Sequence, residues 1–314
     1  MRLGFGLPVG GTGATPDNVS VLARHAEALG YRSLWVFQRL LCPVAPLNTY
    51  YGAPNEAWPA PFRSTLDPIV TLAFIAAQTE RVRLGTSVLV APFYSPVVLG
   101  KQLATLDVIS RGRLTVGLGI GWSRDEYDAA GTPWEQRGAR IDEFIECLDA
   151  LWTQDEVKFK GAFYFVPTSR VEPKPVQKPR PPLLIGGYSE AAFRRAGRLG
   201  DGYTGGNMAP EKLAHTIARV REHAERAGRD PMSLIIASRG SFKVTSTPQG
   251  RNRTVFWGSL QDIRDDVRRY EDAGVTEVFL DPTFQLPACS ITDLLRQMEA
   301  LAPRTLDPQA ERTP

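Results

Sequence analysis

Histidine and cysteine are scarce in this chain, three of each in 314 residues. Cys42, Cys147 and Cys289 are odd in number and far apart, which argues against a disulfide framework and for a reducing, cytoplasmic setting. His25, His215 and His223 all fall inside expected helices, where a surface role is the ordinary one. With no histidine cluster, no paired carboxylates and no C-x-x-C, no metal site is expected. No G-x-S-x-G elbow is present to support acyl transfer. Lysine is rare too, at only seven positions (101, 158, 160, 174, 178, 212 and 243), and no dense basic cluster occurs. A net charge of +3 therefore gives no footing for nucleic acid or a membrane surface. The longest apolar run, Ile69 to Ala77, is well short of the ~18 residues a membrane span needs. Met1-Arg2-Leu3 leads directly into an expected strand, so no signal peptide is expected.

Hydrophobic residues make up 43% of the chain and charged residues 23%, enough for a large core under a soluble surface. Thr15-Pro16, Asp67-Pro68 and Ser95-Pro96 each set a capping side chain before a proline at the first helical position, where its missing N–H costs nothing. Gly30, Gly112, Gly200, Gly228 and Gly274 follow expected helix ends. Between the helices lie eight short apolar runs: Leu3–Leu7, Ser33–Phe37, Val82–Val90, Leu114–Ile120, Leu183–Ile185, Gly202–Thr204, Leu234–Ala237 and Glu277–Leu280. Eight β/α units without a composition break predict an α/β fold, a single (β/α)8 TIM barrel over residues 1–302, with a flexible C-terminal tail over 303–314. Two insertions depart from the repeat. Leu40 to Thr65, after the second strand, is rich in Pro, Tyr, Trp and Phe and is long enough for a lid or pocket wall. Val157–Val166 alternates like a β-hairpin, after a long helix expected over Trp134–Trp152.

Arg113 to Tyr127 is the most informative stretch. Leu114, Val116, Leu118 and Ile120 alternate with glycine, as in a strand buried on both faces. Gly117, Gly119 and Gly121 remove side chains along it, so that a flat, bulky group can lie against bare backbone; the alternative is that they only relieve crowding inside the barrel. The spacing is not a dinucleotide fingerprint, because G-x-G-x-x-G needs glycine at 122 and the chain has tryptophan.

A barrel carries its site at the C-terminal ends of its strands. Those ends present glycine, small polar groups, Gln38-Arg39, Trp122, Arg239 and Asp281, and no histidine. Such a set is poorly equipped for acid–base chemistry alone and suits a cofactor that brings its own reactivity. Ile185-Gly186-Gly187-Tyr188-Ser189-Glu190 ends one strand and opens a helix, where backbone N–H groups and the helix dipole favour a phosphate. Alternatively Ser189 only caps the helix, and Glu190 in the first turn opposes an anion.

Taken together these residues resemble the luciferase-like monooxygenase superfamily, barrels that bind FMN or the deazaflavin coenzyme F420. The resemblance runs over about residues 2 to 285 and rests on Leu29 to Val36, Leu84 to Val90, Leu106 to Leu114, Gly117 to Trp122 with Glu126, Arg137 to Arg140, Glu172 to Pro175, Gly186-Gly187 and Gly200 to Tyr203. It implies a non-prolyl cis bond at Ser87-Val88 whose bulge presses one face of the ring. It further implies phosphate contacts from Gly186, Gly187, Tyr188 and Ser189, with Gly119, Gly121, Trp122 and Gln38 along the ring or the substrate beside it. A homodimer is implied as well. The departures are equally informative. Many F420-dependent members carry Asp-His where this chain has Gln38-Arg39, and the sugar-phosphate dehydrogenase branch has a carboxylic acid at Trp122, so glucose-6-phosphate is not the expected substrate.

The arginine and alanine bias suggests a GC-rich, actinobacterial genome, and the wording of Arg113 to Glu126 resembles the F420 subgroup. The expected activity is therefore F420-dependent hydride transfer to an activated C=C or C=N bond of a small apolar substrate. Gln38, Arg39 and Trp122 are the expected catalytic set; Tyr50, Tyr51, Trp58, Phe62 and Phe93 are the expected substrate pocket. The alternatives are an FMN-dependent monooxygenase and a non-catalytic flavin- or deazaflavin-binding barrel.

Overall fold

Proline behind a capping side chain starts the outer helices as expected, with one exception. Thr15 Oγ1 accepts from Asn18 N at 3.2 Å to open α1 (Pro16–Ala28), and Asp67 Oδ1 accepts from Val70 N at 2.9 Å to open α2 (Pro68–Ala76). Ser95 precedes α3 (Pro96–Ile109) in the same way but its side chain makes no cap bond. The computed structural model describes residues 1–52, 56–250, 252–286 and 289–303. The tail expected from 303 onward therefore lies, beyond 303, outside the described residues.

The strands are β1 (Arg2–Gly6), β2 (Ser33–Val36), β3 (Arg83–Thr86), β4 (Leu89–Val90), β5 (Leu114–Gly119), β6 (Glu156–Lys160), β7 (Phe165–Arg170), β8 (Leu183–Gly186), β9 (Gly202–Gly206), β10 (Ile235–Ser241), β11 (Lys243–Val244), β12 (Trp257–Gly258) and β13 (Glu277–Asp281). Parallel pairing runs β3-β2-β1-β13-β10-β9-β8-β5, and β5 closes the ring on β3 through Leu84↔Leu114 and on β4 through Leu89↔Leu118. This is a closed eight-staved TIM barrel, β3 and β4 being two pieces of one stave. The single strand expected over Val82–Val90 is thus broken into two pieces at Ser87-Val88, a peptide that is cis. The seventh stave runs past its expected end at Ala237 to Ser241.

The remaining helices are α4 (Arg124–Ala129), α5 (Arg137–Thr153), α6 (Glu190–Arg198), α7 (Pro210–Arg226), α8 (Leu260–Asp272) and α9 (Ile291–Ala300). α5 starts three residues later than expected, since Gln136 before it is left-handed at φ 59°. No described helix is long and apolar enough to cross a membrane. β6 and β7 form the expected hairpin, held to α5 by Glu143, whose carboxylate accepts from the backbone N–H groups of Ala162, Phe163 and Tyr164.

Two packing zones position the site. The main core lies between the sheet and the helices. A smaller cluster, Trp35, Leu184, Ala237 and Phe279, fills the barrel's interior, with Trp35 stacked on Phe279 at 4.8 Å and 14°. Trp35 Nε1 donates to Glu277 Oε1 at 2.9 Å, so this plug is also polar-satisfied. The barrel is therefore filled below, and its open space lies at the C-terminal rim.

Candidate active site

The glycines of β5 make room for the chain's own next stave. A Cβ on Gly117 would stand 2.0 Å from the Thr86 carbonyl oxygen, and one on Gly119 2.7 Å from Val88 Cγ2. From the other side a Cβ on Gly186 would meet Val88 Cγ1 at 2.7 Å, and one on Gly121 (φ +68°) Val90 Cγ1 at 2.8 Å. The glycines thus relieve crowding against the Ser87-Val88 bulge, the alternative left open by the sequence, while Gly119 and Gly121 also line the cavity beside it. The bulge is firmly held. Thr86 Oγ1 exchanges hydrogen bonds with the Gly117 backbone at 2.8 and 3.0 Å, and Ser87 Oγ pairs with Thr204 Oγ1 at 3.1 Å. Gln38 is buried with Oε1 accepting from Val90 N at 2.7 Å and Nε2 donating to the Tyr94 hydroxyl.

Above the bulge is a cavity of about 430 Å³ that the protein's own side chains leave open. Ser87, Val88, Gly119, Gly121 and Trp122 line one side of it, and Gly186, Gly187, Tyr188 and Ser189 another. The cavity volume is within the range of small-molecule and cofactor sites.

One end suits an anion. Gly187 has φ +142°, and a Cβ there would meet Ala192 Cβ at 2.7 Å, so the β8–α6 turn requires glycine at this point. Tyr203 donates its hydroxyl to the Gly187 carbonyl at 2.9 Å and fixes that turn. Ser189 does cap α6, accepting from Ala192 N at 3.3 Å. The remaining first-turn N–H groups still face outward from the helix end, with its dipole behind them. Glu190, expected to oppose an anion, is turned away. Hydrogen bonds from Arg219 at 2.5 Å and His223 at 2.6 Å hold its carboxyl down to about 2. Arg195 reaches the same end, its Nη2 donating to Gly138 O at 3.0 Å and its Nε to Asp142 at 2.5 Å. The donors, the positive-φ glycine and the dipole fit the phosphate of an FMN- or F420-like group.

The other end is aromatic. Trp122 meets Trp58 at 4.6 Å, Tyr51 at 5.1 Å and Tyr50 at 5.6 Å between ring centroids. Arg39 lies under this cluster with its Cζ 4.8 Å from the Trp122 ring and 5.5 Å from Phe62. Its Nη1 pairs with Glu126 Oε2 at 2.9 Å, and Nε donates to Gln38 O at 2.7 Å. Burial pushes the Glu126 carboxyl up, against the pull of Arg39 and of the Leu40 N–H. The long 40–65 connection is clasped to α4: Leu40 N donates to Glu126 at 2.7 Å, Leu47 N to Asp125 at 3.0 Å, and Arg124 N to Asn48 Oδ1 at 2.7 Å. Residues 53–55 of it lie outside the described residues.

Of the expected pocket residues, Tyr51 and Phe62 line the cavity, Tyr50 and Trp58 stand one layer behind on Trp122, and Phe93 packs against Tyr127 at 5.1 Å, away from it. Three lining residues with polar side chains are absent from the expected set: Thr204, Arg195 and Arg239. Arg239 alone had a signal, as a charged residue at the end of a barrel strand. Arg195 had none, since it reads as a helix surface, and Thr204, last in the run Gly202–Thr204, carries no charge to mark it.

Comparison with known proteins agrees with this geometry. The model of the family described as luciferase-like monooxygenase matches residues 1–276. An uncharacterized protein of Mycobacterium tuberculosis is 31% identical over 306 residues, 96% of this chain and 98% of its own length. The FMNH2-dependent dimethylsulfone monooxygenase of Pseudomonas putida is 40% identical over 181 residues, 57% of this chain and 47% of its own. The F420-dependent glucose-6-phosphate dehydrogenase of Amycolatopsis mediterranei is 32% identical over 224 residues, covering 68% of this chain and 62% of its own. Among solved structures, a monooxygenase from Streptomyces bottropensis superposes with a TM-score of 0.77 at 22% identity, covering 96% of this chain and 98% of that one. An F420-dependent secondary alcohol dehydrogenase does so at 0.76 and 18%, covering 98% and 99%; these two likenesses show the fold alone. The barrel, the Ser87-Val88 bulge and the match over residues 1–276 place this chain in the luciferase-like monooxygenase family, which has F420- and FMN-dependent relatives of this chain among its oxidoreductases.

Proposed function

We propose that the chain is an F420-dependent oxidoreductase that acts on a small, largely apolar substrate with an activated C=C or C=N bond. The observation that carries this reading is the two-ended cavity: an anion cradle at Gly187 and α6, and an aromatic wall at Trp122, joined by the Ser87-Val88 bulge. Gly186, Gly187, Tyr188 and Ser189 would hold the cofactor phosphate, and Ser87, Val88, Gly119 and Gly121 would support its ring. When bound, the deazaflavin supplies hydride chemistry of the nicotinamide kind.

The chain's own residues do the rest. Trp122, Tyr51 and Phe62 exclude water and stack a flat substrate. Arg39 polarises the acceptor end of the bond with the donor that Glu126 and Gln38 O leave unused. Gln38 contributes by position, since its amide holds Val90 beside the bulge. Support for the deazaflavin comes from the relative named as F420-dependent, which matches over 68% of the chain.

FMN-dependent monooxygenation is the second reading, favoured by the 40% identity to the Pseudomonas enzyme over 181 residues. Separate titrations of F420 and FMN into the purified protein decide between them. Tight F420 binding with weak FMN binding is expected. Tight FMN binding without F420 binding overturns the deazaflavin reading, and mass spectrometry of any co-purifying cofactor checks the same point.

A further inference from the structure

Arg113, Arg39 and Arg195 are each anchored by hydrogen bonds or a short ion pair, and Arg239 is not. Arg113 donates to Ser110 O, Thr79 Oγ1, Val82 O and Ala76 O, all within 3.0 Å. Arg39 and Arg195 each hold a carboxylate and a backbone carbonyl. Arg239, on the upper half of β10, has only 14% of its side chain accessible, yet among the described residues its guanidinium makes no hydrogen bond. The nearest carboxylate is Asp281, with Nη1 to Oδ2 at 3.8 Å. Asp281 Oδ1 accepts from Thr283 N at 2.9 Å and from Thr283 Oγ1 at 2.6 Å, and its Oδ2 faces Arg239 as an ion pair without a hydrogen bond. The fork's donors therefore face the cavity with one distant carboxylate beside them and no hydrogen bond made within the described residues.

The fork has a defined setting. Arg239 lines the main cavity together with Tyr51 and Tyr188, whose rings meet at 6.2 Å. The Tyr51 hydroxyl makes no hydrogen bond among the described residues, and that of Tyr188 makes only a long one, 3.4 Å, to Gly206 O. The guanidinium stays charged, because against the burial that would lower its pKa the Asp281 carboxylate pulls it up. Arg239 itself springs from a different stave than the phosphate cradle, and Tyr188 stands between the two. Gly186 registers with Thr204 on β9, and Gly206 with Arg239 on β10, so the two backbones that carry these features are two strand spacings apart, about 10 Å. An anion held at Gly187 leaves Arg239 free for a second one.

We propose that Arg239, with the hydroxyls of Tyr51 and Tyr188, is the subsite for a carboxylate on the substrate, whose apolar body lies against Trp122 and Phe62. A guanidinium fork matches a carboxylate bidentately. The substrate class narrows from an apolar molecule to an apolar carboxylic acid. This assignment rests on the oxidoreductase reading, which gives the same cavity to substrate and cofactor together.

The test uses the full chain and two probes of one shape, cinnamate and its neutral amide, titrated calorimetrically with and without F420 or FMN present. Cinnamate is expected to bind about tenfold more tightly than cinnamamide, a difference the size of one charge-assisted bond. Arg239→Gln is expected to bring cinnamate down to the level of the amide and to leave cofactor affinity unchanged. Arg239→Lys, which keeps the charge and loses the fork, is expected to fall between, and serves where the glutamine variant does not fold. Equal binding of the two probes by the wild-type protein, or no binding of either, overturns the proposal. So does an Arg239→Gln variant that loses cofactor and keeps cinnamate, which assigns the residue to the cofactor. Arg239-dependent cinnamate binding by a protein that takes neither F420 nor FMN leaves the subsite standing and removes the oxidoreductase reading instead.

Discussion

The guanidinium of Arg39 and the carboxylate of Glu126 form an ion pair at 2.9 Å in which the side chains are 8% and 0% accessible. A pair so far from water contributes little over a well-packed apolar pair, but removal of one member strands the other charge at a cost of about 3–5 kcal/mol. Glu126→Ala is therefore expected to destabilise the protein by about that much in denaturant melts. Arg39→Met combined with Glu126→Leu is expected to recover most of the loss. A double variant no more stable than the single one would show that the loss comes from the Leu40 contact and not from the stranded arginine.

Gln38 and Tyr94 give the protein an alkaline limit. Burial, helped by the charge of Asp67, pushes the Tyr94 phenol from 10.0 to about 12. The folded state thus holds this proton more firmly than the unfolded chain does. Its contribution to stability is complete below pH 10 and is lost as pH rises from there through about 12. Tyr50, also pushed up to about 12 by burial and by Tyr51, adds to the same fall. Urea midpoints measured from about pH 9 to about pH 11.5 should decline in the wild-type protein and decline less in Tyr94→Phe. An identical slope in the variant would remove Tyr94 from the account.

The contrast between Gly117 and Arg239 shows what the sequence discloses. Strand number, barrel closure and the position of the rim follow from apolar runs, proline caps and glycine stops, because each is a local signal repeated many times. The cis bond at Ser87-Val88 came from family resemblance and has no local signature. The purpose of the β5 glycines was half legible: spacing showed that something lay close, but only packing shows that it is Thr86 and Val88. The partner of Arg39 could not be named because Glu126 lies on another β/α unit, and Phe93 looked like a pocket wall because a 3-10 turn that carries it toward Tyr127 leaves no pattern. Pairings across the rim are invisible in one dimension.

The 40–65 connection is predicted to depend on Asn48. Its side chain accepts from Arg124 N at 2.7 Å, at the open end of α4, and its carbonyl accepts from Trp58 Nε1 at 2.8 Å. Asn48→Ala removes the first of these bonds at a cost of about 1 kcal/mol, as for other lost caps. Chymotryptic cleavage after Tyr50 or Tyr51 should accelerate, and KM should rise. Cofactor affinity should hold, because the cradle is built on β8 and α6 and not on this loop. Unchanged cleavage would mean that the aromatic contacts to Trp122 alone keep the loop in place.

The bulge and its supporting glycines are predicted to behave as one packed unit. A Cβ on Gly119 would stand 2.7 Å from Val88 Cγ2 and 3.7 Å from Val88 Cβ, closer to the methyl than real contacts allow. Gly119→Ala should therefore push Val88 outward, costing about 1–3 kcal/mol as overpacking does. Val88→Ala alone should also destabilise, by leaving a void against Gly119 and Gly186. Together the two changes should cost less than their sum, because the truncated side chain vacates the volume that the new methyl needs. Each variant should bind cofactor more weakly, since each alters the surface that faces the ring. A four-protein cycle by denaturant melts reads the coupling directly, and additive losses would show that Gly119 is not there to seat Val88.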